Sequence, residues 1–324
     1  MNPKLNRKEN LSETCIFRLT FEECSSIIYN VMNCLSVQKR SFIVRALVEG
    51  NSVRATARLA DVSKVTVLKL ISDLGYAAYA FHDRNVRNVR VRRLQCDEIW
   101  QFIGAKRRNV TPEQEQQGWG DSWTWTAIDA DTKLCVTYYV GDRGKRAAYE
   151  FMQDCAERIV GRPQITTDAL RHYVNAIEDA FGADVDYAML HKIFGAPTDA
   201  DQRRYSPATC IGCDMKVVSG DPDPKHVSTS FVERQNLTMR MSMRRFTRLT
   251  NGFSKKLENH GHMVALYFLY YNFCRVHKTL RVTPAMEAGL ADHIWTLEEL
   301  CSLLPEKKPN ARIDKEMILK ALSA

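Results

Sequence analysis

Residues 94–103 run Leu-Gln-Cys-Asp-Glu-Ile-Trp-Gln-Phe-Ile, which is rich in the branched and aromatic side chains that favour β-strands. Two similar runs follow, Ser-Trp-Thr-Trp-Thr-Ala-Ile at 122–128 and Leu-Cys-Val-Thr-Tyr-Tyr-Val at 134–140. The turn-forming residues 129–132, Asp-Ala-Asp-Thr, separate the second run from the third. The pattern therefore predicts three consecutive strands.

Helices and strands alternate after these three strands. Gly161-Arg162-Pro163 ends the first helical pattern, and four prolines make residues 194–229 irregular. Three strands followed by alternation predict an α/β fold with a ribonuclease H-like mixed sheet. The predicted elements are a helix at 145–159, a strand at 164–167, a helix at 170–181, a strand at 187–190 and a helix from Phe231.

Three acids lie where this strand order would bring them together. Asp97 is in the first strand, Asp168 directly follows the fourth, and Glu233 is near the start of the helix that follows residues 194–229. In this topology the first and fourth strands are neighbours. Three carboxylates at one strand end would hold two Mg²⁺ ions about 3.5–4 Å apart, with Mn²⁺ as a substitute. One ion would activate a water or a 3′-hydroxyl, and the other would stabilise the leaving oxygen.

Each of these acids also has a purely structural interpretation. Glu98 is adjacent to Asp97, and because strand side chains alternate, only one of the two is expected on the inner face. Asp168 is suited to cap the helix after it. Ser230 and Glu233 have the spacing of a capping box. Asp129, Asp131 and Asp142 are interpreted as turn residues.

The positive charge is concentrated near the start of the chain. Residues 1–94 contain 16 Lys and Arg against 8 Asp and Glu, a net charge of +8, whereas residues 95–324 contain 30 of each. Residues 234–281 nevertheless hold ten Lys and Arg and one acid, Glu258. Two separate basic tracts predict two surfaces for a polyanion, and nucleic acid is the expected partner.

The first basic tract contains a helix-turn-helix pattern. Helices are predicted at 36–47, at 52–60 and at 64–74, with Gly75 as the stop signal. The N-terminal part of the third helix would enter the major groove of DNA. A plain helical hairpin is the alternative. The predicted DNA contacts in this tract and the segment after it are Arg54, Arg58, Ser63, Lys64, Thr66, Lys69, Arg90, Arg92 and Arg93.

The second basic tract continues from the helix that carries Glu233. Arg240 and Arg244 are four residues apart, which on a helix places them on one face. This face is expected to hold a DNA strand near the metal ions. The predicted contacts are Arg234, Arg240, Arg244, Arg245, Lys255 and Lys256.

Four segments resemble the bacterial insertion-sequence transposases, most closely those of the IS-one type. They are Gln95-Cys96-Asp97-Glu98-Ile99-Trp100, residues 123–130, Thr166-Thr167-Asp168, and residues 226–236 with Glu233 and Asn236. Tyr271-Asn272-Phe273 with His277 is similar to the end of integrase-type cores. The resemblance implies an acidic triad of Asp97, Asp168 and Glu233, two Mg²⁺ ions, and cutting and joining of DNA ends.

One departure from the family pattern is the distance between the last two acids. They are separated by 64 residues, more than in many such cores, which implies an insertion at 194–229. Cys210, Cys213 and His226 lie in this insertion, but one cysteine pair falls short of a four-ligand zinc site.

The predicted organisation is a leader at 1–35, a helix-turn-helix domain at 36–83, a basic linker at 84–93, a catalytic domain at 94–304 and a tail at 305–324. The longest uncharged apolar run, Met263 to Cys274, is too short to span a membrane. The cysteines are expected to be mostly buried, reduced thiols of a cytoplasmic, nucleoid-associated bacterial protein.

The predicted function is DNA transposition. The chain would bind the terminal inverted repeats of an insertion sequence, cleave a strand at each end and transfer the 3′-hydroxyl into target DNA. Joining two ends requires at least two protomers, so a homo-oligomer on DNA is expected. Two alternatives remain: a DNA-binding regulator with a silent core, and a two-metal nuclease that cuts without joining.

Overall fold

A computed structural model describes residues 35–195 and 210–305. The predicted leader at 1–35 and tail at 305–324 therefore lie almost wholly outside the described residues. No helix in the two described ranges is both long and apolar enough to cross a membrane.

Three helices open the described chain, each preceded by a serine whose hydroxyl caps it. The Oγ atoms of Ser36, Ser52 and Ser63 accept hydrogen bonds from backbone N–H groups three residues on, at 3.2, 3.1 and 3.0 Å. These bonds satisfy donors that the first helical turn leaves without partners. The helices are α1 (Val37–Val48), α2 (Val53–Leu59) and α3 (Lys64–Asn85).

The predicted end of the third helix at Gly75 is wrong. Helix α3 continues for ten residues beyond it, and Gly75 is buried inside the helix. A Cβ at this position would lie 2.6 Å from the Cα of His262 and would also collide with its carbonyl oxygen. Glycine is therefore required here by a close helix crossing rather than by a helix end.

Within the described residues, eight strands form two sheets. The larger one has six strands in the order β4-β3-β2-β6-β7-β8, with β2 antiparallel to β3 and parallel to β6. The predicted adjacency of the first and fourth strands is confirmed, since Cys96 of β2 pairs with Thr167 of β6. The strands are β1 (Val89–Arg90), β2 (Arg93–Ile103), β3 (Gly120–Asp129), β4 (Cys135–Gly141), β5 (Ile159–Val160), β6 (Gln164–Thr167), β7 (Asp186–Phe194) and β8 (Cys210–Ser219).

The expectation of an irregular segment at 194–229 is wrong in part. Strand β8, which was not predicted, lies inside it and pairs antiparallel with β7 along most of its length, and β7 is longer than the predicted strand at 187–190. Residues 196–209 lie outside the described residues. The misleading signal was the four prolines, all of which lie outside β8, and β8 is an exposed edge strand with no buried residue to mark it in the sequence.

Helices cover both faces of the large sheet. On one face Trp125 of β3 packs against Phe151 and Tyr173 at ring-centroid distances of 5.7 and 5.4 Å. On the other face Tyr138 of β4 stacks on Phe268 at 4.9 Å. The remaining helices are α4 (Pro112–Gln116), α5 (Lys145–Arg158), α6 (His172–Phe181), α7 (Ser230–Ser242), α8 (Leu257–Leu269), α9 (Pro284–Glu287) and α10 (Leu297–Ser302), and a π-helical turn (Tyr270–Cys274) extends α8.

The first three helices and the sheet share one hydrophobic core. Helix α3 lies along α8, and the buried residues of α1 and α3 belong to the same cluster as those of the strands. The predicted linker at 84–93 forms the last turn of α3, strand β1 and the start of β2. Arg87 pairs there with Asp83 at 2.7 Å and with Glu157 at 3.3 Å.

Replacing Gly75 with alanine should destabilise the protein, although alanine is the better helix former by about 1 kcal/mol. Overpacking against His262 is expected to outweigh this gain and to lower the free energy of unfolding by about 1–3 kcal/mol. Urea denaturation measures the change. As a control, Ala80→Gly on the same helix should lose only the propensity difference, and a more stable Gly75→Ala variant would contradict the tight crossing.

Candidate functional site

Three carboxylates meet where strands β2 and β6 lie side by side. Asp97 and Glu98 are in β2, and Asp168 directly follows Thr167, the last residue of β6. One carboxylate oxygen from each of the three acids lies within 4.8 Å of the other two. Because the ligand atoms are all oxygens, this set suits a hard cation such as Mg²⁺.

Asp97 is held by the helix that follows the sheet. The Nδ2 atom of Asn236 on α7 donates a hydrogen bond of 2.7 Å to its Oδ2 atom. Burial, together with the neighbouring charges of Asp168 and Glu233, raises the pKa of Asp97 to about 7. Without a cation, this carboxylate is therefore poised to hold a proton near neutral pH.

Glu98 also belongs to the cluster, contrary to the expectation that only one of the two adjacent acids would contribute. Cys96 of β2 and Thr167 of β6 are the last paired residues of the two strands. Asp168, which follows Thr167, therefore lies close to both Asp97 and Glu98, which follow Cys96. The Glu98 side chain is fully buried, and its Oε1 atom has no hydrogen bond of ordinary geometry, while the nearby hydroxyl of Tyr173 acts to lower its pKa. Burial raises the pKa of Glu98 to about 7, with Asp168 contributing. A buried oxygen without a partner is costly, and a bound cation would satisfy it.

Arg143 provides the cation nearest to this cluster. Its Nη2 atom lies 3.0 Å from the Oε2 atom of Glu98 and 3.4 Å from the Oδ2 atom of Asp168. Its guanidinium also lies over the ring of Trp123, 4.6 Å from the centroid. Arg143 thus bridges two of the acids that a metal ion would also use.

Asp168 combines a structural contact with its place in the cluster. Its Oδ1 atom accepts a hydrogen bond of 2.9 Å from the backbone N–H of Leu170. Helix α6 begins only at His172, so Asp168 caps the preceding turn rather than the helix. Its other oxygen remains directed to Arg143.

Glu233 lies beside Asp97 but outside the group of three. Its Oε1 atom accepts a hydrogen bond of 2.6 Å from the hydroxyl of Thr229 and forms an ion pair with Lys192 of β7. The predicted capping box with Ser230 is absent, because Thr229 is the residue that precedes α7. The charge of Glu233 still contributes to the raised pKa of Asp97.

Four residues at the site were missed at the sequence level: Asn236, Glu98 as a partner of Asp97 rather than its substitute, Arg143 and Lys192. Asn236 could have been found, since it lies three residues after Glu233 and shares its helix face. Arg143 and Lys192 carry no local signal, because the fold brings Arg143 in from the bend after β4 and Lys192 from β7.

The turn interpretation of the other acids is confirmed. Asp129 accepts hydrogen bonds from the backbone N–H groups of Asp131 and Thr132, and Asp142 accepts one from Gly144 at 2.8 Å.

The predicted DNA contacts differ in exposure. Thr66, Lys69, Arg93, Arg240 and Arg245 are half-buried. The Oγ1 atom of Thr66 lies 2.9 Å from the Oγ atom of Ser63, and Arg93 forms an ion pair with Asp131. The exposed members are Arg54, Arg58, Ser63, Lys64, Arg90, Arg92, Arg234, Arg244, Lys255 and Lys256.

The expectation that Arg240 and Arg244 share a helix face is wrong. Helix α7 ends at Ser242 because Met243 is extended, and Arg244 begins a separate 3-10 turn. Burial lowers the pKa of Arg240 to about 10, Arg248 acts in the same direction, and Asp97 opposes the change. Arg240 therefore lies within electrostatic range of the acids.

Cys210 and Cys213 are exposed on β8 with their Sγ atoms 4.0 Å apart, while Cys96, Cys135 and Cys155 are buried. The Nδ1 atom of His226 lies 2.9 Å from Arg93. Among the described residues, the carboxylates are the group of side chains suited to a metal, and these cysteines are not part of it.

The sequence matches no model of a protein family, and a comparison with curated proteins gives no significant match.

The raised pKa values of Asp97 and Glu98 predict a pH-dependent stability. Both acids bind protons more tightly in the folded state, with pKa values of about 7, than in the unfolded chain. The contribution of this tighter proton binding to the free energy of unfolding is therefore complete below about pH 4, and it is lost as the pH rises through about 7. The melting temperature without metal should fall by roughly 5 °C or more from pH 5 to pH 8.

Magnesium should reverse this loss, and more strongly at pH 8 than at pH 6, because it binds the ionised carboxylates. Thermal melts with Mg²⁺ or with a chelator measure both effects. The Asp97→Asn variant should flatten the pH profile, and an unchanged profile in this variant would show that other groups cause it.

Removing Arg143 should strengthen metal binding, because its guanidinium competes for Glu98 and Asp168. A partly exposed ion pair contributes roughly 0.2–1 kcal/mol, so the Kd for Mg²⁺ in Arg143→Ala should fall by about two- to fivefold. Calorimetric titration measures it, with the exposed neighbour Lys145→Ala as control. Weaker binding would instead show that Arg143 orients the carboxylates.

Proposed function

We propose that the chain is a DNA transposase that cuts and joins DNA strands at a carboxylate site. The observation that carries the proposal is the meeting of Asp97, Glu98 and Asp168 at the junction of β2 and β6. It is supported by the strand order β4-β3-β2-β6-β7, which suits a ribonuclease H-like core with its acids on adjacent strands.

The residues at the junction fit Mg²⁺. The buried Oε1 atom of Glu98 and the raised pKa values of Asp97 and Glu98 indicate carboxylates whose burial the ion pair with Arg143 does not fully offset. When bound there, Mg²⁺ would activate a water or a 3′-hydroxyl and stabilise the leaving oxygen of a phosphodiester. Asp97, Glu98 and Asp168 would supply ligand oxygens, and Glu233 would join them from α7.

The protein's own side chains would orient these groups. Asn236 fixes the Asp97 carboxylate by its hydrogen bond, while Lys192 holds Glu233 beside the cluster. Arg143 neutralises Glu98 and Asp168 until a cation takes its place. The half-exposed Asp97 and Asp168 leave the site accessible to a DNA strand.

DNA binding would come from the helices that precede the sheet and from the second basic tract. Arg54, Arg58 and Lys64 are exposed on α2 and α3, where they are suited to contact phosphates of an inverted repeat. Joining two element ends in one reaction would require a homo-oligomer on the DNA.

Purified protein incubated with duplexes that carry the DNA flanking its gene tests the proposal. Strand cleavage and joined products should appear with Mg²⁺ or Mn²⁺ and should fall by about 10²–10³-fold or more in Asp97→Asn and Glu233→Gln. Both variants should bind DNA within about twofold of the parent, because neither removes a predicted phosphate contact.

The exposed residue Glu178 of α6 provides the control, and Glu178→Gln should retain full cleavage. Cleavage without joining would favour the nuclease, and DNA binding without cleavage would favour the regulator. Full cleavage by Glu233→Gln would remove Glu233 from the site.

A further inference from the structure

A cleft of about 700 Å³ separates the first helices from the second basic tract. One wall consists of residues from the end of α1 to the first turns of α3, including Arg54 and Lys64. The opposite wall runs from Met243 into α8 and includes Arg244, Arg245 and Lys255. Five cationic side chains thus face one space from two distant parts of the sequence.

The cleft is strongly one-sided in charge. Among the described residues that line it, none is Asp or Glu, and its other polar members are neutral, such as Asn51 and Asn251. Arg245 donates a hydrogen bond to the carbonyl oxygen of Asn259, and burial lowers its pKa to about 10. A desolvated guanidinium without a counter-charge is costly, and an anion in the cleft would offset this cost.

This arrangement differs from the two separate surfaces that the sequence suggested. Lys64, at the start of the predicted recognition helix, lines the same space as Arg244. The two basic tracts therefore converge. A flexible chain of phosphates is the anion that fits such a row of separated cations, because each cation can neutralise a different phosphate.

Helix α7 connects the cleft to the carboxylates. Asn236 on this helix binds Asp97, and Arg244 follows the end of the helix and lines the cleft. Six helical positions separate Asn236 from Ser242, the last residue of α7, which corresponds to roughly 9 Å along the helix axis, and Arg244 follows two residues later. Because a DNA strand rises about 3.4 Å per phosphate along the duplex axis, this helix segment matches the axial rise of two to three nucleotides.

We propose that this cleft binds the backbone of one DNA strand, held from both sides by Arg54 and Lys64 on one wall and by Arg244, Arg245 and Lys255 on the other. The inference rests on the proposed function for the identity of the ligand as DNA. The proposal goes further than that function in one respect: a single DNA strand contacts the first helices and also continues to the acids.

The test uses the full-length protein, a chelator and a fluorescein-labelled 20-base-pair duplex of random sequence. Arg54→Ala and Arg244→Ala should each weaken binding by about tenfold, and each should lower the slope of log K against log salt by about 0.9. One duplex should bind per chain, and the double variant should lose that single binding event.

Arg146→Ala provides the matched control. Arg146 is exposed on α5, which packs against β4 and α6, and its loss changes the net charge by the same amount. The shared cleft would be contradicted if each chain bound two duplexes independently, and if Arg54→Ala abolished one binding event and Arg244→Ala the other. Equal weakening by Arg146→Ala would also overturn it, since net charge alone would then explain the binding.

This outcome is separable from that of the proposed function. Binding is measured without divalent metal, so a protein that fills the cleft with DNA but never cleaves it would contradict only the transposase activity. A protein that cleaves DNA but binds it equally well without Arg54 and Arg244 would contradict only the cleft.

Discussion

The parallel pairing of β2 with β6 is the interaction on which the candidate site depends. It places Cys96 opposite Thr167, so that the next residues along each strand are acids. Backbone hydrogen bonds fix this register, and a shift by one residue would turn Asp97 to the other face of the sheet. Bringing the carboxylates together is unfavourable because their charges repel. The backbone hydrogen bonds between β2 and β6 and the hydrophobic core beneath them therefore offset this cost, and the acids themselves do not. Asn236 and Arg143 then adjust a geometry that the strands have already set.

Features that depend on neighbouring residues could be predicted from the sequence. The strand at 94–103, the turn at Asp129 and the N-caps of the first helices all follow from local propensity and side-chain chemistry. Asp97 and Asp168 could be predicted as neighbours because the order of strands and helices allows few topologies. The position of Glu233 was predicted only to the helix, because the ion pair with Lys192 depends on a side chain from β7.

Features that depend on distant parts of the chain could not be predicted. Glycine after an apolar helical pattern is a common stop signal, yet Gly75 is explained by the approach of His262. Strand β8 has few buried residues, so its pairing with β7 leaves little trace in its hydrophobic pattern. The basic cleft is a further example, since charge counts show how many cations a segment contains but not that two segments face each other.

The unbroken course of α3 has a consequence for how such a protein can evolve. The helix begins directly after the turn that ends at Ser63 and ends against α5, and its middle packs against α8 at Gly75. A recombination event that exchanged only the first helices would replace part of a shared core as well as the exposed basic residues that we propose to contact DNA. Under the proposed function, new DNA preferences are therefore expected to arise by substitution at exposed positions such as Arg58 and Lys64, while the helices that carry them are inherited together with the sheet.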